Sequence, residues 1–279
     1  MTASQRPSTS SPGIKSLLAL TCPHEQCQGA SHLRLRAVTC TVLRMQCRWQ
    51  VGARGQTFAR EGKRGPCEKP RPGLDHEQAL LAQGHRLVAG LDEAGRGAWA
   101  GPVYAAAVVL PLDQPDLYPA LEGVKDSKLL SPARREALVE VIYDVALGVG
   151  VGAATPSEID ALGIVPSTRL AMARAIEMQS PYPEALLLDY IKLPQVDLPQ
   201  RALAKADLYC LSVAAASIIA KVRRDQWMMQ IDQWYRGYGF ARHKGYGTAA
   251  HRTALQQLGP SALHRMSWAP MQALVQDTC

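Results

Sequence analysis

The chain has 279 residues, of which 47% are hydrophobic and 20% charged, a composition that predicts a globular protein and excludes a disordered or fibrous chain. Its length excludes a single small module, because domains usually span about 100–200 residues. The net charge of +7 divides into +8 over residues 1–86, −6 over residues 87–220, +6 over residues 221–265 and −1 for the tail, which indicates either incidental surface charge or separate cation-binding and phosphate-binding regions.

Cysteine use and hydropathy indicate a cytoplasmic protein. Five of the seven cysteines lie within the first 67 residues, so no disulfide framework spans the rest of the chain. No apolar run approaches the roughly 18 residues that span a bilayer. The run Ser16–Thr21 is also shorter than the core of a secretory signal. We therefore expect no membrane partner.

The first 84 residues form a basic extension without a sustained hydrophobic period. Such a segment is predicted to be disordered or to fold around a metal, because it cannot bury enough apolar surface by itself. A degenerate zinc-ribbon spacing supports a Zn²⁺ site, with these candidate ligands: Cys22, Cys27, Cys40 and Cys47, with His24 and Cys67 as substitutes. A frayed extension and a misplaced start codon are the alternatives.

Residues 85–279 are predicted to form the main domain, which begins with a β-hairpin. The apolar runs Arg86–Leu91 and Val103–Leu110 are separated by glycine and proline, as the two strands of a hairpin would be. Ser131 is a predicted N-cap for a helix that continues to about Ala146. A third strand is predicted over Leu147–Ala153.

Helices and strands alternate in the rest of this domain. A capping box at Thr155–Glu158 opens a short helix, and a longer one runs from Pro166 to about Met178. Strands are predicted over Ala185–Asp189 and near Arg201–Ala204. A long helix is predicted over Ser212–Tyr235. The mixture predicts an α/β fold in which helices cover a mixed sheet.

Four acidic residues stand beside segments that we expect to be buried. Asp92 and Glu93 follow the first predicted strand, Asp189 ends a later one, and Asp207 precedes the long helix. Buried carboxylates are costly without a cation, so their convergence predicts a site for Mg²⁺ or Mn²⁺. Two such ions about 4 Å apart can activate water at a phosphodiester. A salt-bridged acid or a helix N-cap is the alternative for each, and Asp207 fits an N-cap equally well.

Glycine-rich and basic segments accompany these acids. Gly95-Arg96-Gly97 would let the backbone approach a ligand closely, although tight turns also need glycine. The segment His243–Thr248 places a cation and an aromatic ring on one loop, which suits a phosphate and a sugar but also a solvated loop. A duplex-binding face or an ordinary helix face is predicted for Lys221, Arg223 and Arg224, with Trp227 nearby.

In their order and spacing, these segments resemble the bacterial ribonuclease HII family over roughly residues 86–273. The resemblance is carried by these motifs: Gly90–Gly97, Asp126–Lys128, Glu158–Asp160, Leu188–Asp189, Lys205–Asp207, Ala214–Ser217, Ala220–Val222, Arg224–Asp225, His243–Tyr246, and His264–Arg265 with Ser267. It implies an RNase H-like fold with a C-terminal helical segment. It also implies cleavage of RNA in RNA–DNA hybrids and incision at single ribonucleotides in duplex DNA, leaving 5′-phosphate and 3′-hydroxyl ends, as in ribonucleotide excision repair.

The resemblance also implies residue roles. Asp92, Glu93, Asp189 and Asp207 would be the catalytic, metal-binding carboxylates, with Mn²⁺ or Mg²⁺ as cofactor. Substrate contacts are implied for Gly95, Arg96 and Gly97 at the 2′-hydroxyl, Tyr246 at the deoxyribose, and Lys128 and Lys205 at phosphates. We expect a monomer that binds the nucleic acid, and a sliding-clamp partner stays open.

The chain departs from the family pattern at two places beside these acids. Tyr190 and Ile191 follow Asp189 where many relatives have Gly-Asn, and Ala206 replaces the usual glycine before Asp207. We expect altered packing there, with the aspartates retained. Two other functions stay open: a hybrid-binding protein without cleavage, and a DNA-cutting nuclease of the same broad fold.

Overall fold

The computed structural model describes residues 71–276. The cysteines and the histidine predicted to bind zinc lie outside the described residues, so the zinc site remains a prediction. The division into an extension and a main domain after residue 84 also remains a prediction.

A five-stranded mixed sheet forms the centre of the fold, as the sequence predicts. Its strands are β1 (Val88–Ala94), β2 (Val103–Val109), β3 (Gly148–Ala154), β4 (Ala185–Asp189) and β5 (Gln200–Leu203). Their spatial order is β3-β2-β1-β4-β5. The first three strands pair antiparallel, and β1–β4 and β4–β5 pair parallel. The predicted hairpin is therefore confirmed, and β1 and β4 are neighbours that run in the same direction.

The helices of the described residues occupy both faces and the C-terminal part of the chain. They are α1 (Asp75–Leu81), α2 (Leu117–Ala120), α3 (Pro132–Val145), α4 (Pro156–Leu162), α5 (Ile164–Glu177), α6 (Leu211–Asp232), α7 (Phe240–His243), α8 (Ala249–Leu258) and α9 (Ala269–Gln276). The predicted Ser131 N-cap and Thr155 capping box are confirmed. The helix expected after Pro166 begins earlier, at Ile164, because proline is tolerated in the first turn of a helix.

Two apolar layers hold the helices on the sheet. On one face, α3 and the alanine-rich first half of α6 pack against Ala106 and Val108 of β2. On the other face, α5 packs against Ala89 and Leu91 of β1 and against Leu186 of β4. The absence of a side chain at Gly90 of β1 permits the close approach of α6, since a Cβ on Gly90 would lie only 2.3 Å from the carbonyl carbon of Ser212. This packing fixes the direction in which the acidic ends of β1 and β4 point.

Helix α1 is tied to the start of α6 by a buried carboxylate. Glu77 is fully buried, and its Oε1 accepts hydrogen bonds from the backbone N–H of Ser212 at 2.9 Å and from its hydroxyl at 2.7 Å. Its Oε2 is buried without a hydrogen-bond partner among the described residues. Burial raises the pKa of Glu77, and the two bonds from Ser212 oppose that rise only in part. Ionisation of Glu77 is therefore less favourable in the folded chain than in the unfolded chain.

We expect E77Q to leave the protein as stable as wild type, or about 1 kcal/mol more stable, at pH 8, and E77A to destabilise it by about 1–3 kcal/mol. A carboxyl with a raised pKa loses its stabilising contribution as pH rises through that pKa, so the advantage of glutamine should shrink at pH 5. Urea unfolding at both pH values measures this, with the exposed Glu140→Gln as control. A large loss of stability in E77Q at pH 8 would contradict the prediction.

Candidate active site

Asp92 and Asp189 lie side by side because their strands are adjacent and parallel. Leu91 of β1 pairs with Leu188 of β4, so the residues that follow each of them come next at the same edge. The prediction that Asp92 and Glu93 follow the first strand is wrong, since β1 continues to Ala94. Pairing with the neighbouring strand β2, through Ala106 and Ala105, extends β1 through both acids.

Asp207 reaches the same edge from a 3₁₀ turn, Ala206–Leu208, that follows β5. The backbone N–H of Ala206 donates to Oδ1 of Asp189 at 3.0 Å, which joins this turn to the end of β4. The N-cap of α6 is Cys210, so the alternative of an N-cap role for Asp207 does not hold. The left-handed backbone that glycine would favour falls on Lys205, at φ 60°, so alanine fits at position 206.

The carboxylates at this edge of the sheet repel one another. Burial raises the pKa of Asp92 well above its usual range, and the charges of Glu93, Asp189 and Asp207 raise it further. Burial likewise raises the pKa of Asp207, and Asp126 and Asp189 add to the rise. Carboxylates that repel one another in a poorly solvated place favour a bound cation or a proton.

Glu93 has one carboxylate oxygen engaged and the other without a partner. Its Oε1 accepts a hydrogen bond from Nη1 of Arg96 at 3.1 Å. Its Oε2 is buried and has no hydrogen-bond partner among the described residues. Burial raises the pKa of Glu93, and the bond from Arg96 opposes that rise. An unpartnered buried carboxylate oxygen is a ready ligand for a hard cation.

The acidic edge fits a divalent cation, although it is not closed around one. Among residues 71–276, no group of three or more His, Cys, Asp or Glu side chains is gathered closely enough to form a finished metal site. The fit rests on the unpartnered Oε2 of Glu93 and on the repulsion that raises the pKa of Asp92. Both costs would be offset by a cation with oxygen ligands.

A buried arginine fixes the glycine-rich loop beside these acids. Arg265 is fully buried and donates from Nη2 to the carbonyl of Gly95 at 2.7 Å and from Nη1 to that of Arg96 at 2.8 Å. Its Nε and Nη2 both donate to the carbonyl of Gly101. One guanidinium therefore holds both ends of the Gly95–Gly101 loop, while Gly97 stays exposed.

Tyr246 is placed against this loop through backbone bonds. The N–H groups of Trp99 and Ala100 donate to the carbonyl of Gly245 at 2.8 and 3.2 Å. The guanidinium carbon of Arg224 lies 5.3 Å from the centre of the Tyr246 ring. Tyr246 and Gly95 therefore share Arg224 as a neighbour, and the substrate contact implied for Tyr246 stays a prediction.

The prediction of a basic duplex-binding face on α6 is wrong for Arg224, and it stays a prediction for Lys221 and Arg223. Arg224 is fully buried and donates to the carbonyls of Pro102 and Ala100, and Trp227 is buried as well. Lys221 forms an ion pair with Asp225 at 2.8 Å, and Arg223 donates to the Tyr143 hydroxyl at 2.9 Å. A count of charges along the chain cannot separate buried cations from exposed ones.

The two predicted phosphate-binding lysines both lie close to the acidic edge. Lys128 is exposed, and the charges of Asp126, Asp92, Asp207 and Asp189 raise its pKa against the opposing effect of burial. Lys205 is exposed and directly precedes the turn that carries Asp207. Both cations can therefore approach a phosphate that lies over the carboxylates.

Some residues of the site could not be assigned roles from the sequence. Asp126 adds its charge to the acidic edge, and its Oδ1 accepts the backbone N–H of Lys128 at 2.9 Å. Asp160 accepts the N–H groups of Met266 and Ser267, both at 2.9 Å, and thus holds the segment after Arg265. The motifs at 126–128, 158–160 and 264–265 were the available signal, but motifs alone do not show which contacts their residues make.

Comparison with known proteins gives one consistent result. The family model described as Ribonuclease HII matches residues 89–271. The chain is 51% identical over 204 residues to Ribonuclease HII of Roseiflexus castenholzii, covering 72% of this chain and 89% of that protein. It is 52% identical over 203 residues to Ribonuclease HII of Chloroflexus aurantiacus, covering 72% and 94%.

Solved structures are similar to this one over the same region. The ribonuclease H2 of Pyrococcus horikoshii superposes with a TM-score of 0.58 at 28% identity, covering 68% of this chain and 97% of that one. The ribonuclease in the PCNA:RNase HII complex from Archaeoglobus fulgidus superposes with a TM-score of 0.54 at 31% identity, covering 65% and 95%. No helix in residues 71–276 is long and apolar enough to cross a membrane.

Proposed function

The chain belongs to the ribonuclease HII family and is therefore an endoribonuclease of RNA–DNA hybrids, and we propose that it also incises duplex DNA at single embedded ribonucleotides. The observation that carries the proposal is the position of the Gly95–Gly97 segment. It lies directly beside the paired carboxylates of Asp92 and Asp189 and is held by Arg265. The segment that would contact the ribose therefore lies next to the carboxylates that would act on the phosphate.

Asp92, Glu93, Asp189 and Asp207 would hold the divalent cation that this reaction needs. We assign Mg²⁺ or Mn²⁺, since both take the oxygen ligands that these residues offer. Such a cation lowers the pKa of a bound water and offsets the negative charge at phosphorus. The four side chains are supplied by β1, β4 and the 3₁₀ turn, so elements of regular structure carry all of them.

The reaction is hydrolysis of one phosphodiester bond. A water oxygen forms a bond to phosphorus while the bond from phosphorus to the 3′-oxygen breaks, and that oxygen takes up a proton. The products carry a 3′-hydroxyl and a 5′-phosphate. Lys128 and Lys205, which both lie close to the acids, would hold the phosphate oxygens and keep phosphorus in position during attack.

Recognition of the ribonucleotide would fall to the backbone of Gly95, Arg96 and Gly97. The 2′-hydroxyl is both donor and acceptor, so peptide groups in a fixed loop can distinguish it from the hydrogen of DNA. The ring of Tyr246 would pack on the adjacent deoxyribose. A 2′-hydroxyl on that sugar would interfere with this packing. The backbone contact to the 2′-hydroxyl therefore disfavours all-DNA duplexes, whereas the Tyr246 contact favours a deoxyribose beside the ribonucleotide.

A sliding clamp is a proposed protein partner of this chain. The support is that a relative from Archaeoglobus fulgidus was solved in a PCNA:RNase HII complex. Co-elution of the full chain with a clamp from its own cell tests this partner independently of cleavage.

The full chain should nick a labelled duplex that contains one ribonucleotide, in the presence of Mg²⁺ or Mn²⁺ and not of EDTA. An all-DNA duplex of the same sequence should stay intact, and a hybrid should be cut in its RNA strand. Binding to the hybrid without cleavage under either ion would support a non-enzymatic role. Equal cutting of the all-DNA duplex would instead support the DNA-cutting nuclease.

A further inference from the structure

A cavity of about 570 Å³ opens beside the acidic edge and is assigned no role by the family resemblance. It extends from Arg96 to the segment that follows β4, Tyr190–Lys192. Val165 and Arg169 of α5 also line it. Its volume lies in the usual range for sites that hold a small molecule or a single nucleotide unit. We call it the Tyr190 pocket.

Tyr190 is held in an unfavourable backbone conformation that exposes its ring. Its φ is 64°, in the left-handed region that a bulky side chain rarely adopts, and 74% of its surface is exposed. Its N–H donates to the carbonyl of Leu203 at 2.9 Å, and the N–H of Ile191 donates to the carbonyl of Asp189 at 2.7 Å. Backbone strain and an exposed aromatic ring occur together next to Asp189, a candidate ligand for the cation. This combination indicates that the Tyr190 ring contacts a ligand.

The charged side chains that line the pocket are all basic. Arg96, Arg169 and Lys192 contribute to the lining, and no acidic residue does. Nε of Arg169 donates to the carbonyl of Lys192 at 3.0 Å, which fixes the two basic residues relative to each other. Basic groups around an exposed aromatic ring match a nucleotide, whose phosphate is anionic and whose base and sugar have flat apolar faces.

We propose that the Tyr190 pocket binds a nucleotide of the ribonucleotide-bearing strand that flanks the incision site, with Tyr190 packing on its base and Arg169 and Lys192 contacting its phosphate. This inference rests on the proposed function, because the strand is placed by Arg96 at the 2′-hydroxyl and by Asp189 at the scissile phosphate. A pocket that contains Arg96 and adjoins Asp189 lies within a few nucleotides of both on that strand.

The experiment compares Y190N, Y190F and wild type in the full chain. Asparagine tolerates the left-handed backbone and removes the ring, whereas phenylalanine retains the ring. We expect Y190N to raise KM for the single-ribonucleotide duplex about 5- to 10-fold with kcat within 2-fold of wild type, and Y190F to stay within 2-fold for both. The matched control is Y182A, which removes another exposed tyrosine at the opposite end of β4.

Abasic substrates locate the nucleotide. Each substrate carries one abasic unit. The unit is placed in turn at the three positions on each side of the ribonucleotide, in the ribonucleotide-bearing strand or in the complementary strand. At one position of the ribonucleotide-bearing strand, the abasic unit should raise KM for wild type and not for Y190N. The same effect on the complementary strand, an unchanged KM in Y190N, or equal defects in Y190N and Y190F would each overturn the proposal.

Binding without turnover separates this inference from the proposed function. Fluorescence anisotropy of a labelled hybrid is measured with D92N and with D92N/Y190N, neither of which is expected to cut. A 5- to 10-fold weaker affinity of the double variant supports the pocket even if wild type fails to incise embedded ribonucleotides. Equal affinities overturn the pocket even if wild type incises them.

Discussion

Replacing Asp92 with asparagine should abolish incision and stabilise the protein freed of divalent cations. Asp92 is nearly fully buried between Glu93 and the end of β4, and its charge is disfavoured there by burial and by three neighbouring carboxylates. Asparagine keeps the shape and removes the charge. The turnover rate should fall by at least about 10²-fold, the scale for deleting one preorganised electrostatic group. The melting temperature without metal should rise by about 2–4 °C.

The pH dependence of stability gives a second measure of Asp92. A carboxyl with a raised pKa contributes stability below that pKa and loses this contribution as pH rises through it. Metal-free wild type should therefore lose stability between mildly acidic and neutral pH more steeply than D92N does. Thermal unfolding in EDTA across that range measures the difference, with the exposed Asp113→Asn as control. Incision by D92N at the wild-type rate would contradict the proposed role.

Added cation should reverse the order of stability. A divalent cation that binds the folded wild type and not its unfolded chain should raise the melting temperature of wild type and raise that of D92N less. A variant that is more stable without metal and inactive with it is expected where repulsion among carboxylates is retained for function.

The sheet could be predicted from the sequence because its strands are short apolar runs bounded by glycine, proline or acids. Ala185–Asp189 matches the strand in the structure at both ends. The end of β1 could not be predicted, because hydrogen bonding to Ala105 and Ala106 carries the strand through two acids that the pattern assigns to a loop. The adjacency of Asp92 and Asp189 depends on that pairing and on the parallel register of β1 and β4.

The part of the site that the sequence could not predict is the set of buried cations. Arg224 and Arg265 look like surface residues in a basic segment, yet each is fully buried. Their hydrogen bonds reach backbone carbonyls more than 120 residues away in the chain, which no local pattern reveals. Three histidines are buried in the same segment, and burial lowers the pKa of His251 and of His264 to about 4. The basic stretch therefore supplies the buried arginines that hold the Gly95–Gly101 loop.

Because buried arginines hold this loop, replacing Gly95 should have a larger structural effect than replacing Gly97. Its φ is 94°, a conformation that side chains rarely adopt, and a Cβ there would lie 1.9 Å from Nε of Arg224. Arg224 cannot move aside easily, because it is buried and donates to the carbonyls of Pro102 and Ala100. G95A should therefore cost about 2–4 kcal/mol of stability and displace the loop, with about 10²-fold lower incision at a single ribonucleotide.

G97A is the matched control, since nothing lies within 4 Å of a Cβ at that position and its φ is not in the left-handed region. It should unfold at the same denaturant concentration as wild type, so any loss of incision would reflect contact of the new methyl group with the substrate. Urea unfolding and single-turnover incision of both variants separate the two effects. If G95A were as stable as wild type, the buried arginines could not be fixing the loop through close packing, and the explanation for Gly95 would have to be sought in the substrate alone.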